Sequence, residues 1–252
     1  MFISTNELEK LHQDDSVLIV DARSYKDYSN GHIPGSVSLD LFSFHWADTS
    51  QKGLVSFGEH MRKILSYAGI DENKKIIFYD HSSGMLAARG VWMCLYFSHP
   101  DVQMLDGGLS KWTKENLPTQ TESTIYKPSN LTAPIDPSVI IGFEELNENI
   151  GKVTIIDARS PDEFDGTMPR AARGGHIPTA KNIDWNNNLD DSGKLKSDSE
   201  LESLYTMDKE SPIVTYCQGA YRAAHSYLSL KKLGFKNVKV YLGSWGEWGN
   251  KM

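Results

Sequence analysis

A cysteine is useful as a nucleophile only where its thiolate is favoured, and the segment around Cys217 holds the residues for that. The apolar run Ile213-Val214-Thr215-Tyr216 leads into Cys217. Gln218-Gly219-Ala220-Tyr221-Arg222 follows, and then a helix-like stretch. A strand–loop–helix of this kind sets the thiol at the carboxyl end of a sheet strand, where α/β folds place their ligands. The loop amides and the helix N-terminus would then face the sulfur as an anion cradle, with Arg222 as a permanent cation beside it. Such a thiolate is a good nucleophile near neutral pH. Most free cysteines are merely small buried hydrophobes, but a Gly-containing turn, a helix start and an Arg together outweigh that reading here. Cys94 reads the other way: it sits in the apolar run VWMCLYF with no cation near it in sequence, and belongs to the core. Two thiols are too few for a cysteine-based zinc or iron–sulfur site, and a chain of this size is expected to keep them reduced.

The elements that must position Cys217 occur twice. DARSYKDYSNGHIPG starts at Asp21; DARSPDEF starts at Asp157, with GGHIP following at Gly174. The second copy carries extra residues in GTMPRAARG. Ile76-Ile77-Phe78-Tyr79-Asp80, then HSSGMLAARGVWMCLYF, matches Ile213 to Cys217 followed by QGAYRAAHSYLSLKKLGF, so Asp80 stands where Cys217 stands. A repeat this long is a duplicated domain and not a solenoid. VLIVDAR, IIFYD, VTIIDAR and PIVTYC read as buried strands. FGEHMRKILSYAG, SGMLAARGVWMCLYF, SDSELESLYTM and AYRAAHSYLSLKKLG read as helices, with Ser82 or Ser83 and Gly234 as cap and stop signals. Strand–helix alternation implies parallel βαβ units. The Pro-, Ser- and Thr-rich stretch 117–138 reads as a linker.

Composition narrows the function. The chain has 252 residues, 39% of them hydrophobic, enough for a real core. Its 26 basic against 33 acidic side chains give a net charge of −7, which argues against non-specific nucleic-acid binding. The longest apolar run, Val91 to Phe97, is far short of the roughly 20 residues a bilayer helix needs. The opening MFISTNELEKLHQDD has neither a basic nor a long apolar region of a secretory signal, so a cytoplasmic location is expected.

On these residues the sequence resembles the tandem-domain rhodanese family of sulfurtransferases along nearly its whole length. DARS and GHIP occur in both halves. YDHSSGMLAARGVW looks like the family's non-catalytic N-terminal domain, and YCQGAYRAAH with GSWGEWG like the catalytic C-terminal one. The resemblance implies an α/β fold of two tandem domains, each a mainly parallel sheet flanked by helices on both faces. The boundaries would be 1–120 for the non-catalytic domain, 121–137 for the linker and 138–252 for the catalytic domain. It implies a double displacement: Cys217 takes the outer sulfur of a small anionic donor as a persulfide. Cyanide or a thiol, that of a thioredoxin-like protein included, then accepts it. The amides of Gln218, Gly219, Ala220, Tyr221 and Arg222 would hold the persulfide sulfur. The first half would wall the cleft without a nucleophile of its own. No metal, nucleotide or organic cofactor is implied, and a chain of this size could work as a monomer.

Phosphatases, the rival users of such a loop, carry Cys-x5-Arg around a tetrahedral phosphate. Cys217-x4-Arg222 is one residue shorter and better matched to a single sulfur atom. An arsenate reductase of the same fold is a comparable outsider. Many 3-mercaptopyruvate enzymes carry Cys-Gly-Ser/Thr-Gly-Val-Thr, a pattern broken here, and Arg222 could pair with a sulfonate or carboxylate, so thiosulfate is the expected donor. The donor-contacting Arg of vertebrate-type enzymes is missing from Glu163-Phe164-Asp165-Gly166-Thr167; Arg170 or Arg173 could replace it. A 3-mercaptopyruvate sulfurtransferase, or a persulfide carrier or regulatory binding module, are the alternatives. The duplicated Asp21/Arg23, Asp157/Arg159, His32 and His176 are expected to brace loops. His225 is expected to be packed or solvent-facing, and Trp245 and Trp248 to be core or to wall the site.

Overall fold

The computed structural model describes residues 1–251. Its first sheet holds five parallel strands: β1 (Phe2–Ile3), β2 (Val17–Asp21), β3 (Val37–Ser38), β4 (Lys75–Tyr79) and β5 (Val102–Leu105), in the order β1-β5-β4-β2-β3. With it go α1 (Thr5–Leu11), α2 (Tyr25–Ser29), α4 (Met85–Tyr96), α5 (Gly108–Lys114) and, from Gly58 onward, α3 (Gln51–Tyr67). The second sheet repeats the plan with β6 (Ile140–Ile141), β7 (Thr154–Asp157), β8 (Lys181–Asn182), β9 (Ile213–Tyr216) and β10 (Val238–Tyr241), ordered β6-β10-β9-β7-β8 and again parallel. Its helices are α6 (Phe143–Glu148), α7 (Pro161–Asp165), α8 (Asp198–Leu204), α9 (Tyr221–Lys232) and α10 (Ser244–Lys251).

Each sheet is covered on both faces, which is why its central strands read as unbroken apolar runs. In the first, Val17, Ile19, Ile77 and Tyr79 share one face with Leu8 and Trp112. On the other face Phe78 presses on Gly90 of α4, where an added Cβ would lie 2.3 Å from the ring, so only glycine fits. In the second, Ile155, Val214, Tyr216 and Tyr241 pack with Leu146, Trp245 and Trp248. Thr215 points the opposite way and donates to the Ala223 carbonyl of α9 (3.0 Å). Each fully buried aliphatic or aromatic side chain stabilises by about 1.5–3 kcal/mol.

The spatial grouping of the chain differs from a division at 120 and 138. The first unit comprises Met1–Phe44, Gly58–Ile135 and Asp191–Leu195, and the second His45–Phe57, Asp136–Asp190 and Lys196–Met252. Each half has thus lent a short segment to the other's unit, an exchange that linear patterning does not encode. The stretch read as a linker has little regular structure but is tied to the first unit. Thr124 N–H donates to Tyr28 Oη (3.0 Å), Leu131 N–H to Ser66 Oγ (3.1 Å), and Arg62 to the carbonyls of Leu131 and Ala133 (3.0 and 2.8 Å). Among the described residues no helix is long and apolar enough to cross a membrane.

The expected cap at Ser82 or Ser83 is corrected. The N-cap of α4 is Gly84, with no side-chain cap of its own, because the Asp80 carboxylate takes the N–H groups of Leu86 and Ala87 (3.1 Å each). Gly234 is left-handed just past α9 (φ +87°), as a stop signal should be.

Candidate active site

Cys217 directly follows β9, the central strand of the second sheet, and is a free thiol only 1% exposed. Gln218 and Gly219 lead to Ala220, whose left-handed backbone (φ +68°) turns the chain into α9. The first turn of α9, whose amides lack intrahelical acceptors, therefore begins directly at the end of the loop. The loop is held from outside by the start of α10. Buried Ser244 accepts the N–H of Cys217 (3.2 Å) and of Ala220 (3.1 Å) on Oγ, which donates to the Tyr241 carbonyl (2.9 Å). The Trp245 and Gly246 amides donate to the carbonyls of Cys217 and Gln218 (2.9 Å each).

Of the five amides expected in the cradle, that of Ala220 is therefore turned away onto Ser244. The Gln218 and Gly219 amides donate to no acceptor among the described residues. Gln218 Nε2 donates to the Arg170 carbonyl (3.0 Å), while its Oε1 is buried without a partner.

Arg222 does not stand as a lone cation. It grips Glu163 with two hydrogen bonds (2.5 and 2.9 Å), the pair being 14% and 4% exposed. Burial pushes the Glu163 carboxyl up, but the guanidinium overrides this and holds it at about 2. Burial works against the charge on Arg222 too, and Glu163 together with the Cys217 sulfur outweighs it, so its pKa is raised. Arg170 reaches the same carboxylate more loosely (3.6 Å) with its side chain 55% exposed. Arg173 is tied to α10: its guanidinium donates to the Trp248 carbonyl and its own carbonyl accepts Trp245 Nε1, both at 3.2 Å. The structure thus brings Cys217, Gln218, Gly219, Ala220, Tyr221, Arg222 and Arg170 together and ties Arg173 to α10.

Three neighbours of the loop carry little signal in the sequence. Glu163 stands there only as the place of a missing Arg. Ser244 lies inside the GSWGEWG stretch, but nothing in that stretch singles out its hydroxyl. His45 comes from the first half of the chain, yet its ring rests on the loop. A Cβ on Gly219 would lie 2.8 Å from His45 Cδ2, and the His45 and Tyr221 ring centroids are 5.0 Å apart.

The duplicated residues brace loops. Arg23 binds the Asp21 carboxylate and the Gly31 carbonyl (2.8 Å); Arg159 does the same with Asp157 and the Gly175 carbonyl (2.8 Å). His32 stacks on Tyr28 and His176 on Phe164, each bonding that partner's carbonyl through Nδ1. His225 is buried, its Nδ1 3.2 Å from Asn188 Nδ2. Trp245 and Trp248 are core, and Cys94 is fully buried, where desolvation alone pushes its thiol up.

The first unit shows what such a loop does with an anion. Asp80 follows the central strand β4, and its carboxylate accepts four amides: Ser82 and Gly84 on Oδ1 (3.1 and 3.0 Å), Leu86 and Ala87 on Oδ2. Burial raises Asp80 above the ordinary carboxylate range against the pull of those amides.

The profile of the rhodanese-like domain matches the chain twice, at residues 4–115 and 143–251. The chain is 34% identical over 269 residues to the sulfur carrier protein TtuD of Thermus thermophilus, covering 99% of this chain and 94% of that one. It is 32% identical over 257 residues to the thiosulfate sulfurtransferase of Azotobacter vinelandii, covering 99% and 94%. Among solved structures, SseA from Escherichia coli, described as a 3-mercaptopyruvate sulfotransferase, aligns with a TM-score of 0.81 at 28% identity over 97% of this chain and 98% of that one. Paired domain matches, and relatives above 30% identity along nearly the full length, make this chain a member of the rhodanese family of sulfurtransferases, built from two rhodanese-like domains in tandem.

Proposed function

We propose that the chain is a thiosulfate sulfurtransferase working through a persulfide on Cys217. The observation that carries this reading is the Cys217 thiol at the end of the central strand, at the mouth of α9 and beside Arg222. The Cys217 thiolate attacks the outer sulfur of thiosulfate. A new S–S bond forms, the S–S bond of thiosulfate breaks, and sulfite leaves with the electron pair. The terminal persulfide sulfur carries the negative charge, held by the amides of Gln218, Gly219 and Arg222 at the helix start. A thiolate or cyanide then attacks that sulfur and expels the Cys217 thiolate. In this reading Arg170 guides the donor, while Ala220, Tyr221 and Arg173 shape the loop.

Thiosulfate is favoured over 3-mercaptopyruvate by the relatives named thiosulfate sulfurtransferase, at 30% and 32% identity. The loop also lacks Ser or Thr hydroxyls that would frame a keto acid. Intact-protein mass after brief exposure to thiosulfate, and separately to 3-mercaptopyruvate, tests the reading. Wild type gains about 32 Da, one sulfur, and Cys217→Ser gains nothing, since only a thiolate accepts it. Faster loading by 3-mercaptopyruvate would reassign the donor, and no loading by either would remove the enzyme reading. The relative named a sulfur carrier protein favours a second reading, a persulfide handed to a protein acceptor. Slow turnover with every small thiol, but rapid transfer to a partner protein, would select it.

A further inference from the structure

The segment 45–57 belongs with the second unit although it lies in the first half of the sequence. One buried anchor ties it there. Thr49 N–H and Oγ1 both donate to the Glu247 carboxylate (3.1 and 2.5 Å), and Thr49 Oγ1 accepts the Phe143 amide (2.8 Å). Phe143 opens α6, whose N-cap Gly142 has no side chain to cap it, so the Thr49 hydroxyl serves in its place. Thr49 is 5% and Glu247 3% exposed. The carboxylate also receives Tyr241 Oη (2.9 Å) and Lys251 Nζ (2.7 Å). Its side chain folds back over Gly243, where any Cβ would collide with it. A buried carboxylate supplied with four donors is held in one place, and Glu247 stands in α10 directly after Gly246.

What α10 does from that fixed place follows from the shape of a peptide. In a planar trans peptide the C=O and the next N–H point in opposite directions. The Trp245 and Gly246 amides take the carbonyls of Cys217 and Gln218 (2.9 Å each), so the N–H groups of Gln218 and Gly219 face away from α10. Ser244 Oγ keeps the N–H groups of Cys217 and Ala220 on the helix side (3.2 and 3.1 Å). The helix thus sorts the loop amides into two that it holds and two that donate to no acceptor among the described residues. A shift of α10 would rotate those peptides and carry the outward donors with them.

We propose that Thr49 is a positioning residue for the reaction at Cys217: by holding Glu247 it fixes α10, and through α10 the orientation of the Gln218 and Gly219 amides that receive the sulfur's charge. The proposal rests on the sulfurtransferase reading for its substrate, while one arm of its test needs no sulfur. Thr49→Val removes the hydroxyl and keeps the branched shape. In the full chain it is expected to slow single-turnover persulfide formation from thiosulfate about tenfold and to leave the KM within about twofold, as when a reacting geometry is lost and binding is kept. Iodoacetamide reads the thiolate alone: the Cys217 sulfur attacks the methylene carbon, a C–S bond forms and iodide leaves with the bonding pair. The pH of half-maximal alkylation at Cys217, followed by peptide mass, should rise by about half a unit in Thr49→Val, because a misaligned cradle favours the thiolate less. Thr49→Ser keeps the hydroxyl and should return both readings to wild type. Tyr241→Phe removes another donor to the same carboxylate and should shift the profile in the same direction, which keeps the test decisive if Thr49→Val folds poorly. Leu201→Ala, buried on α8, controls for lost stability: its urea midpoint falls while its alkylation profile stays. An alkylation profile that stays put in Thr49→Val and Tyr241→Phe, a Thr49→Ser that recovers neither reading, or a Leu201→Ala that shifts as far, overturns the proposal. Wild type that takes no sulfur from thiosulfate overturns the function proposed above, while the alkylation profile still decides the role of Thr49.

Discussion

Glu163 and Arg222 are 59 residues apart and make the tightest polar contact near Cys217. A guanidinium paired to a carboxylate is a positioned dipole more than a free cation, so Arg222 acts on the loop from a fixed place. The pairing has a pH signature. Because the Glu163 carboxyl sits at about 2 in the fold, below its ordinary 4.5, the stability it contributes is complete above pH 4.5 and is lost as the pH falls through 2. Denaturation of wild type and Glu163→Gln should therefore differ most at about pH 6 and converge near about pH 2. Glu163→Ala should cost about 3–5 kcal/mol at neutral pH, since it leaves a mostly buried guanidinium uncompensated. Cys217 and Arg222 were legible because loop chemistry is local in sequence. Glu163 was not, because its carboxylate is recruited through tertiary contact. Nor was the tie of Arg173 to the Trp248 carbonyl, which follows from where α10 comes to rest.

Among the elements, α10 does most to shape the site. Its first turn closes on the Cys217 loop through Ser244, Trp245 and Gly246, while its apolar face joins the core through Trp245 and Trp248. Ser244→Ala should strand two amides and cost about 1–3 kcal/mol in denaturant unfolding. Freed from Ser244, the loop should also load sulfur more slowly, which stopped-flow persulfide formation would read. The strands and most helices were legible from apolar runs and Gly or Pro punctuation. The start of α3 was not: its first turns, Gln51-Lys52-Gly53, carry no apolar period and belong to the segment fixed by Thr49. The cap of α4 departs from its sequence pattern for a related reason. Two serines offer the usual capping chemistry, but a carboxylate four residues ahead of Gly84 reaches its amide first.

At the scale of the whole molecule, the duplication was plain in the repeated DARS and GHIP motifs, and the exchange of short segments was hidden. A fragment beginning at Asp136 holds every strand of the second sheet but lacks residues 45–57. Glu247 would then lose both Thr49 donors. Such a fragment should melt well below the full chain by circular dichroism, and fusing residues 45–57 to its start should recover part of the loss. A fragment as stable as the full chain would show that the exchanged segment is decorative. The two central loops also differ in thermodynamic kind. Asp80 is a ligand covalently tethered to its own site, so the amides around it keep their acceptor throughout. The Cys217 loop instead gains and loses a terminal anion at every cycle of the proposed reaction. Hydrogen exchange should register this asymmetry: the amides of Gly84, Leu86 and Ala87 keep one protection level throughout turnover, while those of Gln218, Gly219 and Arg222 change with sulfur loading. One half of the duplicated chain would then serve as an internal clock of constant rate, against which the breathing of the other can be timed.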